Sequence, residues 1–260
     1  MITIGIDPVA FTIGSFEVRW YGIMVALAVI TLVVWAVLWT RKDPRLSPDT
    51  VINAAIVGII SGFVGARLFH VFDRWSYFME HPGEIIGGAG LAIYGAVLGA
   101  ALGIWIYSRF SKHSFGYMAD MLAPGIILAQ AIGRVGCTLN GCCYGIACDL
   151  PWAVTYTDPS HGGMIQSVHP TQIYEIIYNL IIFGVLMLLR KRFRPDGSLF
   201  LIYLTFYAAW RLGIGFIREG ELYFGLHEAQ LISIVVLVIT ITLMALKTRW
   251  IKKEETNPLA

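Results

Sequence analysis

The stretch WYGIMVALAVITLVVWAVLW, residues 20–39, contains no charged side chain. An apolar run of about 20 residues is long enough, as a helix, to cross the hydrocarbon core of a bilayer. Across the whole chain, hydrophobic residues make up 57% and charged residues only 14%. The sequence therefore predicts an all-α, polytopic membrane protein.

Comparable apolar runs recur along the chain and predict six further spans. Seven transmembrane helices are expected at residues 20–39, 51–72, 86–107, 116–136, 170–190, 198–217 and 228–247. We interpret residues 1–260 as one membrane-embedded domain. Its longest connection, residues 137–168, is expected to form an outward-facing loop that caps a site. Residues 12–21 are expected to lie along the outer surface, with no cleaved signal peptide before them.

The basic residues predict the orientation of these spans. Clusters of lysine and arginine follow the first, third, fifth and seventh spans and hold 13 of the 19 basic residues. Because cytoplasmic loops are enriched in lysine and arginine, the N-terminus is expected outside and the C-terminus in the cytoplasm. The net charge of +2 and the pI near 8.3 come mostly from these loops. They give no indication of nucleic-acid binding.

The basic residues outside these clusters are all arginines, and none is a lysine: Arg19, Arg67, Arg74, Arg134, Arg211 and Arg218. The last three and Arg67 are expected near the outer ends of the second, fourth and sixth spans. Arg211 and Arg218 are seven residues apart, which predicts one face of the sixth helix. A guanidinium group offers a planar fork of donors for phosphate or carboxylate. We interpret these arginines as an anion pocket; the alternative is that each extends to lipid head groups.

Two short segments are dense in polar residues and glycine. Residues 133–145 (GRVGCTLNGCCYG) contain four glycines, which permit close approach of the backbone to a ligand beside Arg134. Residues 169–175 (HPTQIYE) begin the fifth span, with proline suited to a first helical turn. His169, Gln172 and Glu175 recur at intervals of three and are expected on one helix face. Helix capping is the alternative role for this second segment.

These motifs resemble those of the bacterial prolipoprotein diacylglyceryl transferase family. The resemblance runs in order from about residue 16 to residue 240, and rests on five elements: RWYG at 19–22, GRVG at 133–136, NGCCYG at 140–145, HPTQIYE at 169–175, and the arginine pair 211 and 218. It implies seven spans in the bacterial cytoplasmic membrane. It also implies transfer of the diacylglyceryl group of phosphatidylglycerol to the lipobox cysteine in the signal peptide of a prolipoprotein, with no cofactor.

The resemblance also implies roles for individual residues. Arg134 matches the phosphatidylglycerol-binding arginine of the signature motif, and Arg211 matches the catalytic arginine of the sixth span. The catalytic candidates are Arg211, Tyr21, Tyr94 and His169. The substrate-binding candidates are Arg134, Asn140, Gly145, Arg218, Gln172 and Glu175.

Four positions depart from the pattern of the family. Cys137 stands in place of an asparagine and Cys142 in place of a glutamate of the signature motif, Tyr94 replaces a histidine, and Gly215 replaces an acidic residue. The candidate base for activating a thiol is therefore missing. Tyrosine is a weak substitute because its usual pKa is about 10. His169 or Glu175 is an alternative base, and the leaving phosphate is another proton acceptor.

The cysteines form the pattern C-x4-C-C-x4-C, namely Cys137, Cys142, Cys143 and Cys148. Outside the reducing cytosol, two disulfides are the expected fate, with three possible pairings. A metal site is the alternative, since His161 and His169 are close in sequence; we assign no metal. A redox-active pair is a further possibility.

Other functions remain open from the sequence. One is a variant or inactive paralogue that binds or transfers a different anionic lipid. Another is a small-anion transporter, which would require charge along the inner halves of the spans, where only Asp120 is found.

Overall fold

The fold is described from a computed structural model covering residues 2–43, 45–87, 90–111, 113–157, 166–220 and 222–250. Residues 158–165 of the expected cap, with His161, lie outside the described residues, as do Lys112, Lys252 and Lys253. Within the described ranges, seven helices are long and apolar enough to cross a membrane. The all-α, polytopic fold class is thus confirmed.

The seven spanning helices are α1 (Trp20–Thr40), α2 (Pro48–Asp73), α5 (Ile93–Phe110), α6 (Phe115–Leu139), α7 (Thr171–Leu189), α8 (Ser198–Ile214) and α9 (Glu228–Lys247), with a 3-10 turn at Gly215–Ile217 extending α8. Two short helices, α3 (Trp75–Glu80) and α4 (Glu84–Gly87), precede α5. For six of the seven spans, both ends agree with the sequence prediction to within three residues. The third span begins seven residues late, because the glycine-rich stretch at 87–90 has low helix propensity.

Short strands lie between and beside the helices: β1 (Ile2–Ile4), β2 (Val9–Ile13), β3 (Phe16–Arg19), β4 (Val154–Tyr156), β5 (Phe193–Arg194), β6 (Leu222–Tyr223), β7 (Leu226–His227) and β8 (Arg249–Trp250). β1 pairs with β4 in parallel, whereas β2–β3, β5–β8 and β6–β7 are antiparallel. The expected surface segment at residues 12–21 is therefore mainly the second half of a hairpin, β2–β3, that leads into α1. Apolar and polar residues alternate over Phe16–Arg19 (FEVR), and this period of two favours a strand over a helix.

The chain divides into two compact units, residues 36–118 and the remainder, 1–35 with 119–260. The first is built on the close crossing of α2 and α5. At Gly65, an added Cβ would lie 2.9 Å from the Cα of Gly99. Small residues at such a crossing allow helix backbones to pack closely where lipid supplies no hydrophobic driving force.

The larger unit has its core between α6, α7 and α8. The buried members of this core are Ala123, Ile127, Ile182, Leu186, Leu199, Ile202 and Tyr203. Asp120 on α6 accepts hydrogen bonds from the backbone nitrogens of Gly197 and Phe200, both at 2.8 Å, and so caps the start of α8. Trp35 ties α1 to α6 by donating its indole N–H to the carbonyl of Met121 at 3.0 Å. These contacts fix the helices that carry the site.

Candidate active site

Polar side chains meet where α6 and α8 end and α7 begins. Arg134 lies five residues before the end of α6, and Arg211 lies three residues before the end of α8. Glu175 lies in the second turn of α7. Because α7 runs opposite to its two neighbours, all three side chains occur at the same end of these helices.

One buried carboxylate binds three arginines. Glu175 is 4% exposed, and its Oε1 accepts from Nη1 of Arg211 at 3.3 Å and from Nη1 of Arg218 at 3.1 Å. Its Oε2 is in contact with Nε of Arg134. The structure therefore brings together three of the four arginines that the sequence placed in a pocket.

The cluster retains an excess of positive charge. One carboxylate cannot neutralise three guanidinium groups, and the side chains of Arg134 and Arg211 each remain 22% exposed. Guanidinium groups that are partly desolvated and held in place bind oxyanions more strongly than mobile surface cations do. The arrangement is suited to binding a phosphate group.

Arg218 reaches the cluster by a different route from the one expected. Helix α8 ends at Ile214, and after the 3-10 turn Arg218 is extended, with φ −102° and ψ 151°. The prediction that Arg211 and Arg218 share one helix face is therefore wrong. The bend after α8 gives both residues access to Glu175 from separate segments.

Three thiols lie beside the arginines. The Sγ atoms of Cys137, Cys142 and Cys143 are all within 4.8 Å of one another, and Nη1 of Arg134 lies 3.8 Å from Sγ of Cys137. Hydrogen bonds from the Cys137 and Cys142 thiols, together with the charges of Arg218 and Arg134, lower the pKa of the Cys143 thiol.

The structure differs from the expectation of two disulfides. All four cysteines are free thiols, and Cys148 is not a member of the cluster of three. The backbone of Cys148 instead pairs with Ser167 at 3.0 Å. The structure thus contains no disulfide at these positions, and disulfide formation stays a prediction.

Gly145 joins the loop that carries Cys142 and Cys143 (residues 140–144, the thiol loop) to the rest of the site. Its N–H donates to the carbonyl of His169 at 2.9 Å, and it forms an isolated bridge with Arg218. A Cβ at this position would lie 2.8 Å from both Cβ of His169 and Cγ2 of Thr171 and would collide with the carbonyl of Ile217. Only glycine fits where these three segments meet.

The start of α7 holds the thiol loop from the buried side. Gln172, 1% exposed, donates from Nε2 to the carbonyl of Cys142 at 2.7 Å and to the hydroxyl of Tyr156 at 3.1 Å. Thr171 donates to the carbonyl of Cys143 at 2.8 Å. The observed contacts of Gln172 position the loop, and direct contact with a substrate stays a prediction.

His169 belongs to an aromatic group at the rim. Its Nδ1 lies 3.4 Å from the hydroxyl of Tyr174, which also accepts from the indole N–H of Trp152 at 2.8 Å. The side chain is half-buried. The imidazole is therefore placed next to the thiol loop, but its role as a base stays a prediction.

Two tyrosines interact electrostatically with the arginine cluster. Tyr21, at the start of α1, is close enough to Arg134 and Cys137 to interact with both electrostatically. Tyr207, on α8, interacts electrostatically with Arg134 and Arg211. Tyr207 was not predicted as a site residue, although its position one helical turn before Arg211 places both on one face of α8.

Two other candidates lie in the unit of residues 36–118. Arg67 donates from Nε to the carbonyl of Ile85 at 2.8 Å and from Nη1 to that of Gly90 at 2.9 Å. Its observed contacts therefore hold backbone around α4. Tyr94 is half-buried in the first turn of α5, and its catalytic role stays a prediction.

Gly215, where the resemblance predicts an acidic residue, has no room for a side chain. A Cβ there would lie 2.5 Å from Cγ and Cδ of Gln230. Gln230 is 1% exposed and donates to the carbonyl of Leu212 at 3.0 Å. Gln230 thus fills the space that a longer residue at 215 would need.

Comparison with known proteins identifies the family of this chain. Residues 8–246 match the family model described as prolipoprotein diacylglyceryl transferase. A Dehalococcoides mccartyi protein named phosphatidylglycerol–prolipoprotein diacylglyceryl transferase is 46% identical over 259 residues, which cover 99% of this chain and 100% of the relative. Proteins of the same name from Clostridioides difficile and Acaryochloris marina are 37% and 36% identical over 88% of this chain and 90% and 86% of their own lengths. The chain belongs to the prolipoprotein diacylglyceryl transferase family.

Proposed function

We propose that this protein transfers the diacylglyceryl group of phosphatidylglycerol to the lipobox cysteine of prolipoproteins, the first step of lipoprotein maturation. The observation that carries the proposal is the convergence of Arg134, Arg211 and Arg218 on Glu175, beside three thiols. The names of the relatives state the same activity for those proteins.

The reaction is a displacement at carbon. The sulfur of the lipobox cysteine, after losing its proton, attacks C3 of the diacylglyceryl group. The bond from C3 to the phosphate oxygen breaks, and its electron pair leaves with glycerol phosphate, which can take up the proton. Negative charge therefore develops on a phosphate, which is the charge that prepositioned guanidinium groups stabilise.

The arginines have distinct expected roles. Arg134, whose Nε contacts Glu175 and whose Nη1 lies 3.8 Å from Sγ of Cys137, is expected to bind the phosphodiester of the lipid through its outer nitrogens. Arg211, whose side chain is 22% exposed, stabilises the leaving phosphate. Arg218 adds charge next to the thiol loop through its bridge with Gly145.

Glu175 acts as a positioning residue in this mechanism. Both of its oxygens are in contact with guanidinium groups, which restrains three flexible side chains in one geometry. Ordering the arginines before substrate binds reduces the entropy lost on binding. We therefore assign Glu175 to arginine placement and leave proton transfer to other groups.

We further propose that the site faces the outer side of the cytoplasmic membrane. The exposed basic residues Lys191 and Arg192 follow α7, at the opposite end from Glu175. By the positive-inside rule this end is cytoplasmic. The arginine cluster, at the other end of α7, then lies where exported prolipoproteins arrive.

Complementation tests the proposal directly. Cells depleted of their own transferase should regain lipid-modified lipoproteins when they express this chain, as measured by labelled fatty acid on a reporter lipoprotein. A reporter whose lipobox cysteine is replaced by serine controls for labelling elsewhere. A well-expressed, membrane-inserted chain that leaves the cysteine reporter unmodified would exclude this activity and favour a variant that handles another anionic lipid.

A further inference from the structure

The three clustered thiols have the spacing of metal ligands. Sγ atoms of Cys137, Cys142 and Cys143 lie within 4.8 Å of one another. Thiolates bound to one zinc ion at about 2.3 Å in tetrahedral geometry are roughly 3.8 Å apart. The three sulfurs are therefore close enough to one another to surround one ion.

The backbone fixes this spacing. Two residues after the end of α6, Gly141 has a φ of 61°, and the N–H of Cys142 donates to the carbonyl of Cys137 at 3.1 Å, as in a Schellman cap. Cys143 follows with a positive φ of 65°. The turn therefore directs Cys142 and Cys143 back toward the helix residue Cys137.

The loop that carries the thiols is held rigidly. The carbonyls of Cys142 and Cys143 accept hydrogen bonds from Gln172 and Thr171, which are 1% and 0% exposed. Such buried supports are typical of sites whose ligands must keep a fixed geometry.

The surrounding charges favour thiolates. Nη1 of Arg134 lies 3.8 Å from Sγ of Cys137, and Arg218 forms a backbone bridge with Gly145, two residues after Cys143. Three thiolates and a divalent cation together carry one negative charge. The arginine cluster, with its excess of positive charge, can balance it.

The cluster has three protein ligands and one accessible side. Cys137 is buried, Cys142 is half-buried and Cys143 is exposed, while Cys148 does not belong to the group. Structural zinc sites are closed by four protein ligands, whereas catalytic sites keep three and leave a fourth position open. The arrangement corresponds to the catalytic kind.

We propose that Cys137, Cys142 and Cys143 bind a zinc ion whose open position takes the sulfur of the incoming lipobox cysteine. This inference rests on the proposed transferase function. Binding to zinc releases the proton of the substrate thiol to solvent, and the zinc-bound thiolate then attacks C3 of the diacylglyceryl group. The C3–oxygen bond breaks, its electrons leave on the phosphate beside the arginines, and no oxidant or reductant is required.

The proposal accounts for the departures at two motif positions. Cys137 and Cys142 stand where the family pattern has asparagine and glutamate, and Tyr94 stands where it has a histidine, so the candidate base for activating a thiol is missing. A metal ion that lowers the pKa of a bound thiol performs the same task without a base.

Metal analysis of the purified full-length protein is the first test. We expect about one zinc per chain in protein purified without added metal, and less than a fifth of that in Cys142→Ser and Cys143→Ser. Cys148→Ser is the matched control and should keep its zinc. Zinc-free protein with four free thiols, or with disulfides among Cys137, Cys142 and Cys143 under non-reducing mass spectrometry, would overturn the proposal.

Cobalt substitution tests the open position without relying on turnover. Thiolate-to-cobalt absorption in the near ultraviolet should increase by about one third when a lipobox peptide adds a fourth sulfur to the existing three. The same peptide with serine in place of cysteine should cause no increase. An unchanged spectrum with the cysteine peptide would exclude substrate activation by the metal.

The outcomes separate this inference from the function on which it rests. Complementation by a chain that lacks zinc would disprove the metal site and leave the transferase activity in place. A zinc site that gains a fourth sulfur in a chain that fails complementation would support the site and disprove the activity.

Discussion

Arg211 and Arg218 donate to the same oxygen of Glu175, although only Arg211 lies on helix α8. The second arginine arrives through the 3-10 turn at Gly215–Ile217 and the extended residue that follows. Two cations this close repel each other, so the shared carboxylate is required to hold them together. Glu175 is therefore expected to determine both the stability and the activity of the site.

Replacing Glu175 by glutamine should reveal this role. Glu175→Gln keeps the shape of the side chain and leaves three guanidinium groups without their counter-charge. We expect the free energy of unfolding to fall by about 3 kcal/mol and transfer to fall at least tenfold. Thermal unfolding in detergent and a lipid-transfer assay measure the two effects. Glu219→Gln, at an exposed neighbouring carboxylate, is the control; equal effects in both variants would exclude the positioning role.

Arg134→Lys tests whether phosphate binding needs a planar fork of donors. Lysine keeps the charge but lacks the planar fork of donors through which arginine can bind Glu175 and a phosphate group together. Losing one charge-assisted hydrogen bond is expected to reduce transfer by roughly 10- to 100-fold. Initial rates at varied phosphatidylglycerol concentration check this, with Arg109→Lys, in the last turn of α5, as the control. Nearly full transfer by the Arg134 variant would disprove its assignment to the phosphate.

Gly145→Ala tests the junction of the thiol loop. The added methyl group would press on His169, Thr171 and the carbonyl of Ile217. Overpacking of this kind costs about 1 to 3 kcal/mol, and we expect it to displace the loop and lower transfer more than it lowers thermal stability. Gly184→Ala is the matched control, because nothing lies within 4 Å of a Cβ there. Equal transfer activity and equal thermal stability in both variants would show that close packing at residue 145 does not position the loop.

The spans and the arginine cluster were largely predictable, and the reason is physical. A bilayer requires long apolar helices, so hydropathy alone located seven of them. Charge is costly in the membrane, which made Arg134 and Arg211 conspicuous. The pairing of β1 with β4 was not predictable, because strands about 150 residues apart leave no local signal. The path of Arg218 was missed because a 3-10 turn has the same apolar composition as the helix before it.

Labelling of introduced cysteines tests on which side of the membrane the site lies. In a chain whose native cysteines are replaced by serine, a membrane-impermeant maleimide should label Asp149→Cys in intact cells. Lys191→Cys should be labelled only after permeabilisation, since the positive-inside rule places this exposed residue in the cytoplasm. Labelling of both from the outside would contradict the orientation and with it the outer-face site.

Substitutions at Gly215 and Gln230 should have non-additive effects on the stability of the protein. Gly215→Asp restores the acidic residue of the family pattern, but its Cβ would lie 2.5 Å from Cγ of Gln230, which is buried. We expect this single change to lower the melting temperature, through an overpacking cost of about 1 to 3 kcal/mol. Gln230→Ala alone should also destabilise, because it removes hydrogen bonds to Leu212 and His227. In the double variant the collision is relieved, so its loss of stability should be smaller than the sum of the two single losses by about 1 kcal/mol. Strictly additive losses in thermal unfolding would show that Gln230 does not exclude a side chain at residue 215.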